Sequence, residues 1–133
     1  MKPIVFYGTS IVQGGCAARP GMAYPAILGR RFDRPTLNLG FSGNALSEPE
    51  MAGFFAELDP AVYVLDPLPN MTPAMVAERL ERFVLILRAA HPATPIVLVE
   101  HVEYAEGDFV ESRRERYAGD NAQLREIYRR LVK

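Results

Sequence analysis

The sequence predicts an α/β domain of three layers, a doubly wound parallel sheet with helices on both faces. Three observations predict it. Short, almost wholly apolar runs recur along the 133 residues, as strands buried on both faces do. Stretches with apolar residues at helical spacing separate those runs. The segments after the first three runs carry glycine, serine or asparagine, and open α/β sheets build their sites at that carboxyl edge.

The first run, Ile4-Val5-Phe6-Tyr7, reads as a buried strand ending in Gly8. A glycine-bearing loop to about Gly21 follows, then a short helix from about Tyr24 to Phe32. Pro35 precedes a second strand, Thr36 to Leu39, which leads into the loop GFSGNALSEPE. Glu48 to Leu58 reads as a helix with Pro49 in its first turn, where a missing N–H costs nothing. Val62 to Leu65 is the third strand, closed by Asp66-Pro67-Leu68-Pro69-Asn70. Thr72 is an N-cap with Pro73 behind it, and that helix runs to about Ala90 on Met75, Val76, Leu80, Phe83, Val84 and Leu87. Pro95 to Glu100 is the fourth strand. After a loop around Gly107, Tyr117, Asn121, Leu124, Tyr128 and Leu131 mark one face of a closing helix. Its arginines (Arg113, Arg114, Arg116, Arg125, Arg129 and Arg130) read as a solvated surface.

Neither a repeat nor a linker interrupts residues 1–133, so a single domain is expected. The net charge of −1 argues against a nucleic-acid or anionic-membrane surface, because both need a basic excess. A lone cysteine, Cys16, excludes an internal disulfide and reads as a small buried residue. No apolar run approaches the roughly 20 residues that cross a bilayer, and Ile4 to Tyr7 is too short for the core of a signal peptide. The protein is therefore expected to be soluble and cytoplasmic. Metal ligands at credible spacing are missing, and no cofactor is expected.

The first strand–helix turn, YGTSIVQGG, places Ser10 two residues past Gly8. Free backbone N–H groups at such a turn can hold an anion or a developing oxyanion. A Walker A loop is excluded because no G-K-[ST] occurs, and a G-x-S-x-G elbow fails at Val12. Two readings stay open on this turn alone: a phosphate loop like that of flavodoxins, and a structural N-cap at Ser10. The second loop, NLGFSGN, brings Gly43, whose N–H can approach a bound group closely. The third presents Asn70, an uncharged amide donor suited to an acyl oxyanion.

In that order and spacing, YGTSIVQGG, NLGFSGN and VLDPLPNMTP resemble blocks I, II and III of the SGNH hydrolases, the GDSL-like lipases and esterases. Thr9 stands where the GDSL subfamily has aspartate, as in the branch that reads Y-G-T-S-I. The resemblance runs over essentially the whole chain. It implies Ser10 as nucleophile and an oxyanion hole from the Ser10 N–H, the Gly43 N–H and the Asn70 side chain. It also implies a flavodoxin-like strand order of 2-1-3-4, with the family's fifth strand missing from residues 1–133. The implied substrate is a small-molecule carboxylic ester with a short acyl group, such as a carbohydrate acetate, cleaved through an acyl-serine.

The family's D-x-x-H block, source of its base and orienting acid, does not occur here, so residues 1–133 alone are expected to turn over weakly or not at all. His91 reads as a loop or helix-end residue on the opposite edge of the sheet. His101 lies at the right edge and reads as structural, with a substitute base as the alternative. Asp66, before Pro67, reads as a turn former, and Glu100 as a strand-end acid. A non-catalytic SGNH domain and a flavodoxin-like binder are the rival readings. Ile96 to Val99, left as an apolar edge, predicts self-association or completion by another segment.

Overall fold

A computed structural model of the protein describes residues 1–133. The strands are β1 (Ile4–Gly8), β2 (Thr36–Gly40), β3 (Val62–Asp66) and β4 (Ile96–Leu98). They form one parallel sheet, as the sequence predicts, in the order β2-β1-β3-β4 that the SGNH resemblance implies. The helices are α1 (Ser10–Gln13), α2 (Tyr24–Arg31), α3 (Pro49–Ala56), α4 (Pro73–Met75), α5 (Glu81–Ala90) and α6 (Glu111–Leu131). A π turn, Val76–Leu80, joins α4 to α5, so Pro73–Ala90 is one helical rod with a widened turn inside it.

β1 is buried along its whole length between β2 and β3, which explains its unbroken run of β-branched and aromatic residues. Its two faces feed different cores. Val5 and Tyr7 join Phe55 of α3, Tyr63 and Leu65 of β3, and Phe83, Val84 and Leu87 of α5. Tyr7 stacks on Phe83 at 5.1 Å and meets Phe55 edge-on at 5.0 Å. Its hydroxyl accepts the Ser47 N–H at 2.9 Å and the Tyr63 hydroxyl donates to the Phe55 carbonyl at 2.7 Å, so both hydroxyls brought into this cluster are satisfied. Ile4 and Phe6 face the other way, onto Val12 of α1 and Tyr24 and Leu28 of α2. No helix is long and apolar enough to cross a membrane.

Two elements depart from expectation. β4 is three residues long where six were expected, because its far end is drawn out of the sheet toward α6. The Val99 N–H still reaches the Leu65 carbonyl at 2.9 Å. The next two residues turn away: Glu100 is gripped by Arg125 at 2.6 and 2.7 Å, and His101 exchanges two hydrogen bonds with the Asn121 side chain at 2.6 and 3.1 Å. The second departure is the buried face of α6. Asp120, Asn121, Leu124 and Ile127 point inward, whereas Tyr128, expected on that face, is 53% exposed. Leu124 and Ile127 pack on Leu68, Met71, Val76 and Leu80, and this contact rotates the helix away from the tyrosine stripe.

Candidate active site

The strand register decides where the site lies. Gly8 pairs with Gly40 of β2 and with Asp66 of β3, so three loops leave the sheet at one level of its carboxyl edge. Gly8 and Gly40 permit helix α1 to lie directly across that edge. A Cβ on Gly8 would sit 2.3 Å from Val12 and 2.5 Å from the Asp66 carbonyl oxygen, and one on Gly40 would sit 2.2 Å from the Gln13 nitrogen. Side-chain atoms have no room there.

At the start of α1 the hydroxyl of Thr9 accepts the Ile11 N–H at 3.2 Å, and Thr9 is the N-cap. The alternative role for Ser10, as the cap itself, is therefore taken by its neighbour. Ser10 becomes the first helical residue, half-buried, with an N–H that has no acceptor inside the helix. Threonine is itself a residue of capping type, so the sequence carried the signal at Thr9 as well as at Ser10. Thr9→Ala is expected to cost about 0.5–2 kcal/mol, read as a lower urea midpoint at unchanged m-value.

The loop after β2 is tied to that turn. The Phe41 N–H donates to the Gly8 carbonyl at 2.7 Å, and the Asn38 amide donates to the Val12 carbonyl at 2.8 Å. The Asn44 N–H then closes a turn on the Phe41 carbonyl at 3.0 Å, with Gly43 at φ +74°. That is the backbone a type II turn needs at its third position, and glycine is the residue that adopts it freely. The Gly43 N–H donates to no carbonyl of the chain.

Asn70 ends a short 3₁₀ turn, Leu68–Asn70, after β3. Its side-chain oxygen accepts the N–H of the fully buried Ala45 at 3.4 Å. This contact fixes the amide with its nitrogen as the free end, a donor rather than an acceptor. Ser10, Gly43 and Asn70 thus stand on three loops joined by hydrogen bonds at one edge of the sheet.

Asp66 is not a simple turn former. It ends β3 only 7% exposed, and its carboxylate accepts the Tyr24 hydroxyl at 3.0 Å. Burial pushes its carboxyl up to about 6, against the smaller opposing effect of that hydrogen bond. Tyr24 is raised far above the ordinary tyrosine range, by burial first and by the neighbouring Asp66 charge second. No sequence pattern pairs residues 42 positions apart, so this contact was invisible beforehand. Cys16, expected to be buried, is exposed on the loop after α1.

Both histidines have structural partners. His91 caps the end of α5 with its Nε2 at 2.9 Å from the Ala56 carbonyl. His101 is 2% exposed, with Nδ1 at 2.7 Å from the Val102 carbonyl and Nε2 at 3.4 Å from the Tyr104 hydroxyl. Burial lowers its affinity for a proton. Glu100 is held below the usual carboxylate range by the Arg125 hydrogen bonds, in an exposed pair that adds little to stability. No three His, Cys, Asp or Glu side chains converge as a metal site would require.

Comparison with known proteins agrees with this architecture. The sequence profile of the GDSL-like lipase/acylhydrolase family matches residues 1–133. A crystal structure from Bacteroides ovatus, described as a GDSL-like lipase, superposes with a TM-score of 0.93 at 39% identity, covering 99% of this chain. The salicylyl-acyltransferase SsfX3 of a tetracycline biosynthetic pathway superposes at 0.82 with 25% identity, again over 99% of this chain. The esterase AlinE4, as its D162A mutant, shares the fold at 0.67 and 18% identity over 95% of this chain and 72% of its own. The chain spans 39% of the Bacteroides structure and 40% of SsfX3. No curated protein matches the sequence. The chain belongs to the GDSL-like lipase/acylhydrolase family.

Proposed function

We propose that the protein is a serine ester hydrolase for short acyl groups such as acetyl, with Ser10 as nucleophile. The observation that carries this reading is the freedom of three donors on loops bonded into one edge: the Ser10 N–H at a helix start, the Gly43 N–H and the Asn70 amide nitrogen. In the reaction the Ser10 oxygen bonds to the ester carbonyl carbon and the carbonyl oxygen becomes an oxyanion. The three donors hold that charge. The Ser10 hydroxyl proton passes to water; collapse breaks the bond to the alcohol oxygen, which leaves and takes a proton back from water, and a second water then adds to the acyl-serine, releasing the acid and returning a proton to the Ser10 oxygen.

Ser10 needs a base for efficient attack, and neither histidine of residues 1–133 offers one. His91 lies at the amino end of β4, opposite the site, and His101 is buried with both ring nitrogens near partners. A site with nucleophile and oxyanion hole but no base retains roughly 10³–10⁴-fold catalysis over water. Residues 1–133 by themselves are therefore a slow esterase.

p-Nitrophenyl acetate suits the test because its leaving group departs without being protonated. The expected result is hydrolysis above the blank, with an acetyl adduct on the peptide containing Ser10 in quenched samples. Acetylation confined to other residues would sink the reading. The likeness to SsfX3 supports a variant of it, in which an alcohol replaces water as acceptor of the same acyl group. Added methanol would then yield methyl acetate.

A further inference from the structure

The turn that presents Gly43 is fixed to the rest of the protein at its two ends. Ser42, Gly43 and Asn44 are exposed and bond within the turn, and a Cβ on Gly43 would meet no atom within 4 Å, so little packing holds them. Upstream, the Phe41 N–H is bonded to the Gly8 carbonyl of β1 at 2.7 Å. Downstream come Ala45, Leu46 and Ser47, which belong to no helix or strand, yet each is bonded to another part of the fold. The Ala45 N–H donates to the Asn70 side chain at 3.4 Å. The Leu46 carbonyl accepts Nη1–H of Arg79 at 3.3 Å. The Ser47 N–H donates to the Tyr7 hydroxyl at 2.9 Å, and its Oγ donates to Sδ of Met71 at 3.4 Å. Ser47 is fully buried at φ +53°, a left-handed conformation that a residue other than glycine keeps only where its surroundings impose it.

Arg79 is the charged member of this clasp. It is half-buried in the π turn Val76–Leu80, whose Val76 and Leu80 are buried, and it forms no ion pair. Such turns are rare and recur at functional sites. Its guanidinium is set against a neutral carbonyl instead of a carboxylate, and a charge-assisted bond of that kind is stronger than one between neutral groups.

We propose that Arg79 is a positioning residue for the oxyanion hole: by holding the Leu46 carbonyl it fixes the turn that carries the Gly43 N–H relative to Asn70. The proposal rests on Ser10 being the nucleophile and goes beyond that reading by adding a residue that touches neither substrate nor reacting atoms. The argument is one of tolerance. An oxyanion donor works at about 2.7–3.1 Å from the oxygen, and a shift of about 1 Å removes most of its effect. Gly43 lies three residues before Leu46, so a loosened downstream end moves the donor itself.

Arg79→Met keeps an unbranched stem and removes the guanidinium. For p-nitrophenyl acetate it is expected to lower kcat about tenfold at nearly unchanged KM, less than the roughly 10²–10³-fold that loss of a whole donor costs. A fall of that size stays above the blank, because catalysis without a base is still roughly 10³–10⁴-fold over water. Arg79→Lys should bring kcat back to within about threefold of wild type, since one carbonyl takes one N–H and an ammonium supplies it. Urea unfolding checks that each variant is folded under the assay conditions. Arg79→Gln, whose amide is shorter than the guanidinium, carries the same expected fall should Arg79→Met not fold.

A folded Arg79→Met protein within about twofold of wild type overturns the proposal. A change confined to KM overturns it as well, and so does an Arg79→Lys protein no faster than Arg79→Met. Ser10→Ala separates the two readings. If it removes hydrolysis while Arg79→Met leaves the rate unchanged, the esterase stands and the role of Arg79 falls. If Ser10→Ala leaves hydrolysis intact, both fall.

Discussion

Asn70→Ala is expected to lower kcat/KM for p-nitrophenyl acetate by about 10²–10³-fold, and Ser10→Ala to bring it to the blank. The reasoning starts from what Asn70 gains and loses in the reaction. A carbonyl oxygen is a modest acceptor, and the tetrahedral oxyanion is a strong one, so a donor already aimed at it stabilises the transition state more than the substrate. In the proposed site the Asn70 amide nitrogen is the end left to donate, since the side-chain oxygen accepts the Ala45 N–H. Its effect should therefore fall on kcat and leave KM nearly unchanged. Asn70→Asp should be worse than alanine, because a carboxylate repels the developing charge. The loss of the Ala45 contact is controlled by urea unfolding. A folded Asn70→Ala protein within twofold of wild type would remove Asn70 from the oxyanion hole.

The strands were legible because a central parallel strand must be apolar on both faces, and Ile4–Tyr7 and Val62–Leu65 meet that requirement without exception. The chemical edge was legible for a related reason: glycines with no room for a Cβ occur where α1 crosses the strand ends, and Gly8 and Gly40 mark that crossing. What stayed hidden is tertiary. The Tyr24–Asp66 hydrogen bond joins two residues whose local sequence calls for helix start and turn. The end of β4 was hidden too, because Arg125 and Asn121 compete for Glu100 and His101 from a helix far along the chain. Periodicity could not choose between Tyr128 and Ile127 as the inward residue of α6, since both are apolar enough and adjacent. The choice came from the surface presented by Leu68, Met71, Val76 and Leu80.

Asp120 is the residue no pattern would place inside. It lies at the middle of α6 with no exposed surface, and neither carboxylate oxygen has a hydrogen-bond partner. Burial pushes its carboxyl up to about 6, against a smaller opposing pull from Arg116. The folded protein thus binds a proton more tightly than the unfolded chain, whose aspartate titrates near its ordinary value of 3.8. Stability from the protonated form is fully present below about pH 4 and is lost as pH rises through about 6. A difference of about two pKa units corresponds to about 3 kcal/mol, and Asp66 contributes in the same direction. His101 acts the other way, because its lowered proton affinity destabilises the folded state as pH falls below its ordinary value of 6.5. The difference between wild type and Asp120→Asn isolates the aspartate from that opposition. Asp120→Asn is expected to stabilise the protein by about 2–3 kcal/mol at pH 7.5, with the gain shrinking toward zero by pH 4. Urea unfolding of both proteins at several pH values measures it. A gain independent of pH would mean that Asp120 titrates alike in the folded and unfolded protein, and a loss at pH 7.5 would mean that Asp120 is charged and paired in the folded protein.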